Sequence, residues 1–126
     1  MIAFPDNRTA YFDVDDTLVE WKLCSDREAD AVKIVDESGR VFYKKAIVAH
    51  IEELKNQKMT GNTVVVWSAG GGAWAETVVK ALGIEEYVDV CLTKPDFYYD
   101  DKDVSEWFPT KRYYHHELQS KSHKGG

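Results

Sequence analysis

Tyr11-Phe12-Asp13-Val14-Asp15-Asp16-Thr17-Leu18 is an apolar run that ends abruptly in carboxylates and a hydroxyl. Aspartate is a poor strand former and costly to desolvate, so three of them within four residues need a physical reason. Their mutual repulsion falls if a cation sits among them. Oxygen ligands of this kind suit a divalent metal with phosphoryl-transfer chemistry beside it. The alternative is an acidic turn that caps the next element, and the rest of the chain has to decide between the two.

Outward from this stretch, strands and helices alternate. Thr9 to Val14 reads as the first strand. After a polar stretch, Ala31-Val32-Lys33-Ile34-Val35-Asp36 and Val41-Phe42-Tyr43-Lys44 flank Glu37-Ser38-Gly39-Arg40, which predicts a β-hairpin turning at Ser38-Gly39. Ile47, Ile51 and Leu54 recur at helical spacing between Ala46 and about Met59, and Thr60-Gly61-Asn62 stops that helix. Thr63-Val64-Val65-Val66-Trp67 is apolar throughout, as a strand buried on both faces should be. Ser68-Ala69-Gly70-Gly71-Gly72 follows, then a helix with Trp74, Val78 and Leu82 on one face and Gly83 as its C-cap. Tyr87 to Leu92 is expected as a third core strand, Phe97-Tyr98-Tyr99 as a short fourth, and Val104 to Phe108 as a final short helix. This order predicts an α/β domain with a mostly parallel sheet.

Composition narrows the function classes. The 126 residues are enough for one domain over 1–126 with a modest core. A formal net charge of −6 gives no global reason to expect nucleic acid or an anionic membrane as partner. No stretch approaches the roughly 18 apolar residues that span a bilayer. Met1-Ile2-Ala3-Phe4-Pro5-Asp6 lacks the basic start and apolar region of a signal peptide. Cys24 and Cys91 form no C-x-x-C pair, so reduced thiols and a cytoplasmic location are the expectation.

Parallel sheets bind ligands beyond the carboxyl ends of their strands. Here the first strand ends in Asp13 and Asp15, the second in Ser68, the third in Thr93-Lys94 and the fourth in Asp100-Asp101. That ordered quartet resembles the haloacid dehalogenase superfamily of phosphotransferases. Asp13-Val14-Asp15-Asp16-Thr17 matches its Asp-x-Asp-x-Thr motif, Ser68 its hydroxyl after an apolar strand, Lys94 its lysine, and Asp100-Asp101 its acidic pair. The match runs from about residue 9 to 103. It implies a Rossmann-like three-layer sandwich in which a flap and β-hairpin over 18–45 replace a full cap domain.

The resemblance also implies a chemistry. Mg²⁺ bridging a carboxylate nucleophile and a phosphate oxygen removes the repulsion between them. Asp13 would attack phosphorus and form an aspartyl-phosphate. Asp15 would protonate the leaving oxygen and then deprotonate the water that hydrolyses the intermediate. In the family the metal is held by the Asp13 carboxylate, the Asp15 carbonyl and the Asp100 carboxylate, with Asp101 acting through water or by orienting Lys94. Thr17 would brace the turn. Ser68, with the N–H groups of Ala69 and Gly70 at a helix start, would cradle the phosphate, and Lys94 would offset its charge. Asp16 and Asp103 match no family position and are expected as solvated carboxylates. In the family the presence of Asp15 favours phosphoryl transfer over carbon–halogen cleavage, and between a phosphatase and a mutase the simpler acceptor, water, makes a phosphatase the expectation.

The expected substrate is a phosphorylated small molecule such as a nucleotide, or, since an open site admits a bulky substrate, a nucleic-acid end or a protein; oligomerisation is an alternative way to close the site. Asp100-Asp101-Lys102 also resembles the fourth motif of polynucleotide phosphatases. Trp21, Tyr43 or Trp74 would be the residues to stack a base, with core packing as the alternative. Two rival readings remain. Gly70-Gly71-Gly72-Ala73-Trp74-Ala75 satisfies a dinucleotide-binding pattern with Asp89 further on, but Asp89 falls early in its strand. A non-catalytic phosphate or metal binder on the same scaffold is the other. His50 is expected to be packed or exposed rather than catalytic. The adjacent His115 and His116 do not suit a zinc site, and 110–126 is expected as a basic, mobile tail with substrate contact open.

Overall fold

Alternating strands and helices do form, but in two sheets. The structure, a computed structural model, describes residues 7–103 and Glu106. It divides into two compact units, Met1–Lys94 and Pro95–Gly126. The first carries β1 (Thr9–Asp13), β2 (Val19–Leu23), β3 (Ala31–Val35), β4 (Val41–Ala46), α1 (Val48–Met59), β5 (Thr63–Ser68), α2 (Gly72–Leu82), a 3-10 turn at Glu85–Tyr87, and β6 (Val90–Thr93).

β1, β5 and β6 form a parallel sheet in that spatial order, with Asp13 opposite Trp67 and Ser68 opposite Thr93. The valines of β5 are buried on both faces, as a central strand requires. One face of the sheet, through Phe12, Val64 and Val66, joins Ile51 and Leu54 of α1 and Ala75, Val78 and Val79 of α2 in the core. Leu18, Val19 and Ile34 complete that cluster from the flap and hairpin.

The second sheet is antiparallel in the order β2-β4-β3. The expected hairpin is present. Asp36 Oδ1 accepts the Ser38 N–H, the Ser38 hydroxyl and the Arg40 N–H, and Gly39 takes φ +87°, which favours glycine. β2 lies where a polar stretch was expected. Val19, Trp21 and Leu23 alternate with Glu20 and Lys22, a strand signal that the charges obscure. α1 begins at Val48 rather than Ala46, because Ala46 still pairs in β4 and the Ile47 N–H is bonded to the Leu18 carbonyl. α2 ends as expected at Gly83 in the left-handed conformation.

Two expectations are corrected. The third strand starts at Val90, not Tyr87, because Glu85–Tyr87 winds into the 3-10 turn. Phe97-Tyr98-Tyr99 forms no strand, and Phe97 and Tyr99 instead meet edge to face at 5.9 Å within the second unit. The helix expected at 104–108 lies outside the described residues except for Glu106, as do the 110–126 tail and His115 and His116.

Asp89 fastens the amino ends of β5 and β6. Its carboxylate accepts the Lys58 ammonium at 2.7 Å and the Val64 N–H at 2.7 Å, while its own N–H donates to the Val64 carbonyl. The Lys58 bond first, then the Val64 bond, holds the Asp89 carboxyl below the usual carboxylate range. The folded chain therefore binds this proton less readily than the unfolded one. The resulting stability is complete above the unfolded value of about 4 and is lost as pH falls through the folded value. Asp89→Asn is expected to cost about 1 kcal/mol at neutral pH, and urea denaturation should show the gap to wild type closing in acid.

Candidate functional site

Three of the four predicted polar strand ends meet at one edge. β1, β5 and β6 run parallel and finish at Asp13, Ser68 and Thr93-Lys94. The Lys94 ammonium stands 3.5 Å from Asp13 Oδ1, and the Lys94 N–H donates to the Ser68 carbonyl at 2.9 Å. The ammonium also lies 5.8 Å from the centre of the Trp67 ring. Both members of the ion pair keep 36% of their side-chain surface open, so an anion can reach them. Asp13 Oδ1 also accepts the N–H of Val14.

Beyond Asp13 the chain closes a tight turn. The Val14 carbonyl accepts the N–H groups of Thr17, Leu18 and Val19, and the Asp16 N–H reaches the Val19 carbonyl at 2.7 Å. Asp16 takes φ +61° there, and its carboxylate accepts the Trp21 N–H at 2.8 Å. Asp16 is thus a turn residue with a structural bond, more than the solvated carboxylate expected. The Thr17 carbonyl accepts the Nδ1–H of His50, at 2.6 Å, from a fully buried ring on α1.

This turn delivers Asp15 half-buried against α2, where Asp15 Oδ1 accepts the indole N–H of Trp74 at 3.4 Å. Burial raises the Asp15 carboxyl above its usual range. The Trp74 bond and the charge of Lys44 oppose that rise, and Asp13 and Asp16 add to it. Asp13 and Asp15, two residues apart, therefore occupy different surroundings: one meets an ammonium, the other a buried aromatic donor.

Ser68 is buried, and its hydroxyl oxygen accepts the Gly70 N–H at 3.0 Å. It is not the N-cap of α2; that position belongs to Gly71, whose φ of +113° suits only glycine. The Gly72 N–H is bonded to Thr93 Oγ1. The predicted cradle of Ser68, Ala69 and Gly70 is present as a loop, but its Gly70 donor faces Ser68. An incoming anion has to take over that bond.

Lys44 was not anticipated. It lies on the inner face of β4 in line with Val32, Ile34 and Phe42, only 6% exposed, and donates to the carbonyls of Glu20 and Trp21. Its ammonium is 5.1 Å from the Trp21 ring centre and 5.9 Å from that of Trp74. Strand alternation alone would have placed this lysine inside. Of the candidate base-stacking residues, Trp74 is committed to Asp15, Lys44 and the Phe42 ring 6.0 Å away, while Trp21 remains 67% exposed.

Asp100 and Asp101 lie in the second unit, both exposed, and Asp100 Oδ1 accepts the N–H of Lys102. Among the described residues no group of three or more His, Cys, Asp or Glu is arranged to hold a metal ion. The donor chemistry at the sheet edge is nonetheless of the hard oxygen type: the Asp13 carboxylate, and an Asp15 carbonyl that stays outside the turn's own bonds among the described residues. Asp89 precedes β6 and is tied to Lys58 and Val64 at the amino ends of the strands, where it cannot meet a ribose beside the glycine loop. Cys24 and Cys91 are free thiols. No described helix is long and apolar enough to cross a membrane. No protein family, curated protein or solved structure matches the chain.

Replacing Trp74 with Phe keeps the ring and removes its N–H. The charged form of Asp15 then loses a donor, and its carboxyl is expected to titrate at a higher pH than in wild type. Carboxyl-carbon NMR of the two proteins across the acid range reads that shift directly; coincident titrations would remove Trp74 as a partner of Asp15.

Proposed function

We propose that the chain is a Mg²⁺-dependent phosphatase of haloacid dehalogenase type, hydrolysing a phosphomonoester through an aspartyl-phosphate at Asp13. The observation that carries this reading is the alignment of Asp13, Ser68 and Lys94 at the ends of three adjacent parallel strands, with Lys94 and Asp13 in contact at 3.5 Å. A parallel sheet presents ligands to that edge, and a carboxylate, a hydroxyl and an ammonium are what a phosphoryl group needs there.

In this reading an oxygen of Asp13 attacks phosphorus as the bond from phosphorus to the leaving oxygen breaks. Asp15 gives its proton to that oxygen, releasing the alcohol, and then takes one from the water that attacks the aspartyl-phosphate. Inorganic phosphate leaves and Asp13 is restored. The raised Asp15 carboxyl supports this role, because an acid must still hold its proton near the working pH. Lys94 spreads its charge over the transferring oxygens, and Ser68 exchanges its Gly70 partner for a phosphate oxygen. Mg²⁺, on the Asp13 carboxylate and the Asp15 carbonyl, would supply the charge that lets a carboxylate approach a phosphate dianion.

The same reading extends the fold to a three-layer sandwich. Its support is the apolar outer face of the parallel sheet, where Tyr11 and Trp67 pack at 4.6 Å and Val90 and Leu92 stay partly exposed. Free thiols at Cys24 and Cys91 suit a reducing, cytoplasmic setting.

Hydrolysis of an aryl phosphomonoester by the full chain is the test. Turnover is expected with Mg²⁺, to vanish with EDTA, and to fall at least about a thousandfold in Asp13→Asn with the fold intact by circular dichroism. A folded, fully active Asp13→Asn protein would sink the mechanism. Phosphate binding without turnover would favour the non-catalytic binder on the same scaffold.

A further inference from the structure

The turn of the β3–β4 hairpin, Glu37 to Arg40, is exposed to solvent. It faces the start of α2 across an open cleft of about 310 Å³, walled by Asp36, Glu37 and Ser38 on one side and by Gly70, Trp74 and Thr77 on the other. Two of these residues belong to the site already described. Trp74 gives its indole N–H to Asp15, and Gly70 gives its N–H to Ser68. The cleft therefore begins where the candidate acid and the candidate phosphate loop end.

Its charge is one-sided. Asp36 is consumed by the hairpin itself: Oδ1 accepts three bonds from Ser38 and Arg40, and Oδ2 lies 3.3 Å from the Arg40 guanidinium. Arg40 in turn sits over the Phe42 ring at 5.3 Å. Glu37 is left as the second acidic residue lining the cleft, which Ser38, Trp74 and Thr77 also line. No lysine or arginine lines the cleft among the described residues. A wall that carries a carboxylate and no lining cation favours an ammonium group over an anion.

We propose that this cleft binds the leaving-group portion of the substrate and selects one bearing an ammonium group, so that the preferred ester is zwitterionic. The proposal rests on the phosphatase reading for the position of the phosphate: the dianion lies at Lys94 and Ser68, the scissile oxygen beside Asp15, and the cationic end against Glu37. Polyanionic leaving groups, including nucleic-acid ends, meet the wrong charge at this wall.

The test uses the ¹⁵N-labelled full chain and the phosphomonoesters of ethanolamine, ethylene glycol and glycolic acid, which are similar in size and differ in charge. Saturable shifts are expected at the Trp74 indole N–H and the Ser38 and Thr77 amides. Kd should rise about fivefold from the ammonium to the carboxylate ester. Glu37→Gln should flatten that order and Glu37→Lys reverse it; Glu37 is exposed at a hairpin turn, so both variants should fold. Equal Kd values, or no saturable shift at these nuclei with any of the three esters, would overturn the proposal. Turnover of the same esters reads the chemistry separately. An ordered binding series without turnover keeps the cleft and removes the phosphatase, whereas turnover with equal Kd values does the reverse.

Discussion

Half-burying the carboxylate of Asp15 carries a desolvation penalty, which two neighbouring groups offset in part. The indole N–H of Trp74 answers it directly, and the ammonium of Lys44 answers it at longer range. Each of those partners then has its own requirements. Trp74 is carried on the first turn of α2, and Lys44 is buried on β4, where the carbonyls of Glu20 and Trp21 and two indole rings receive it. One acidic side chain thus couples the end of β1, the first turn of α2 and the antiparallel sheet. Burial outweighs these partners and leaves the Asp15 carboxyl above its usual range.

The parts of this arrangement that were legible in sequence are those fixed by strong local chemistry. A run such as Val64-Val65-Val66 has few alternatives to a central strand. Gly39 and Gly83 stand where the backbone turns left-handed. Asp13, Ser68 and Lys94 could be placed at one edge because parallel strands in succession must end together. The acidic Asp100-Asp101 could not be placed this way. Its location was inferred from a strand at Phe97-Tyr98-Tyr99, and that stretch pairs with no described strand. Aromatic propensity alone does not make a strand without a ladder partner.

What escaped the sequence reading depends on contacts distant in the chain. Val19-Glu20-Trp21-Lys22-Leu23 looks polar by composition and becomes β2 because β4 lies beside it. Lys44 closes the second strand of the predicted hairpin, and the register places it on the same face as Phe42 and Ile34. Ser68 reads as part of a cradle at a helix start, yet α2 is capped by Gly71, three positions on, and the Ser68 hydroxyl turns to Gly70 instead.

The hairpin shows how a short chain can combine tasks that larger folds divide. Its inner face, through Ile34 and Phe42, covers α2 and completes the core, so it cannot swing away without exposing apolar surface. Its turn, built on Asp36, walls the cleft beside Trp74. A wall anchored in this way is preformed rather than closing on its ligand, and discrimination then has to come from fixed charge and shape rather than from motion. On the phosphatase reading this separates the two halves of the substrate by charge. The phosphate meets Lys94 at the sheet edge, the organic portion meets Glu37 at the hairpin, and Trp74 stands between them with its N–H on the acid that parts the two.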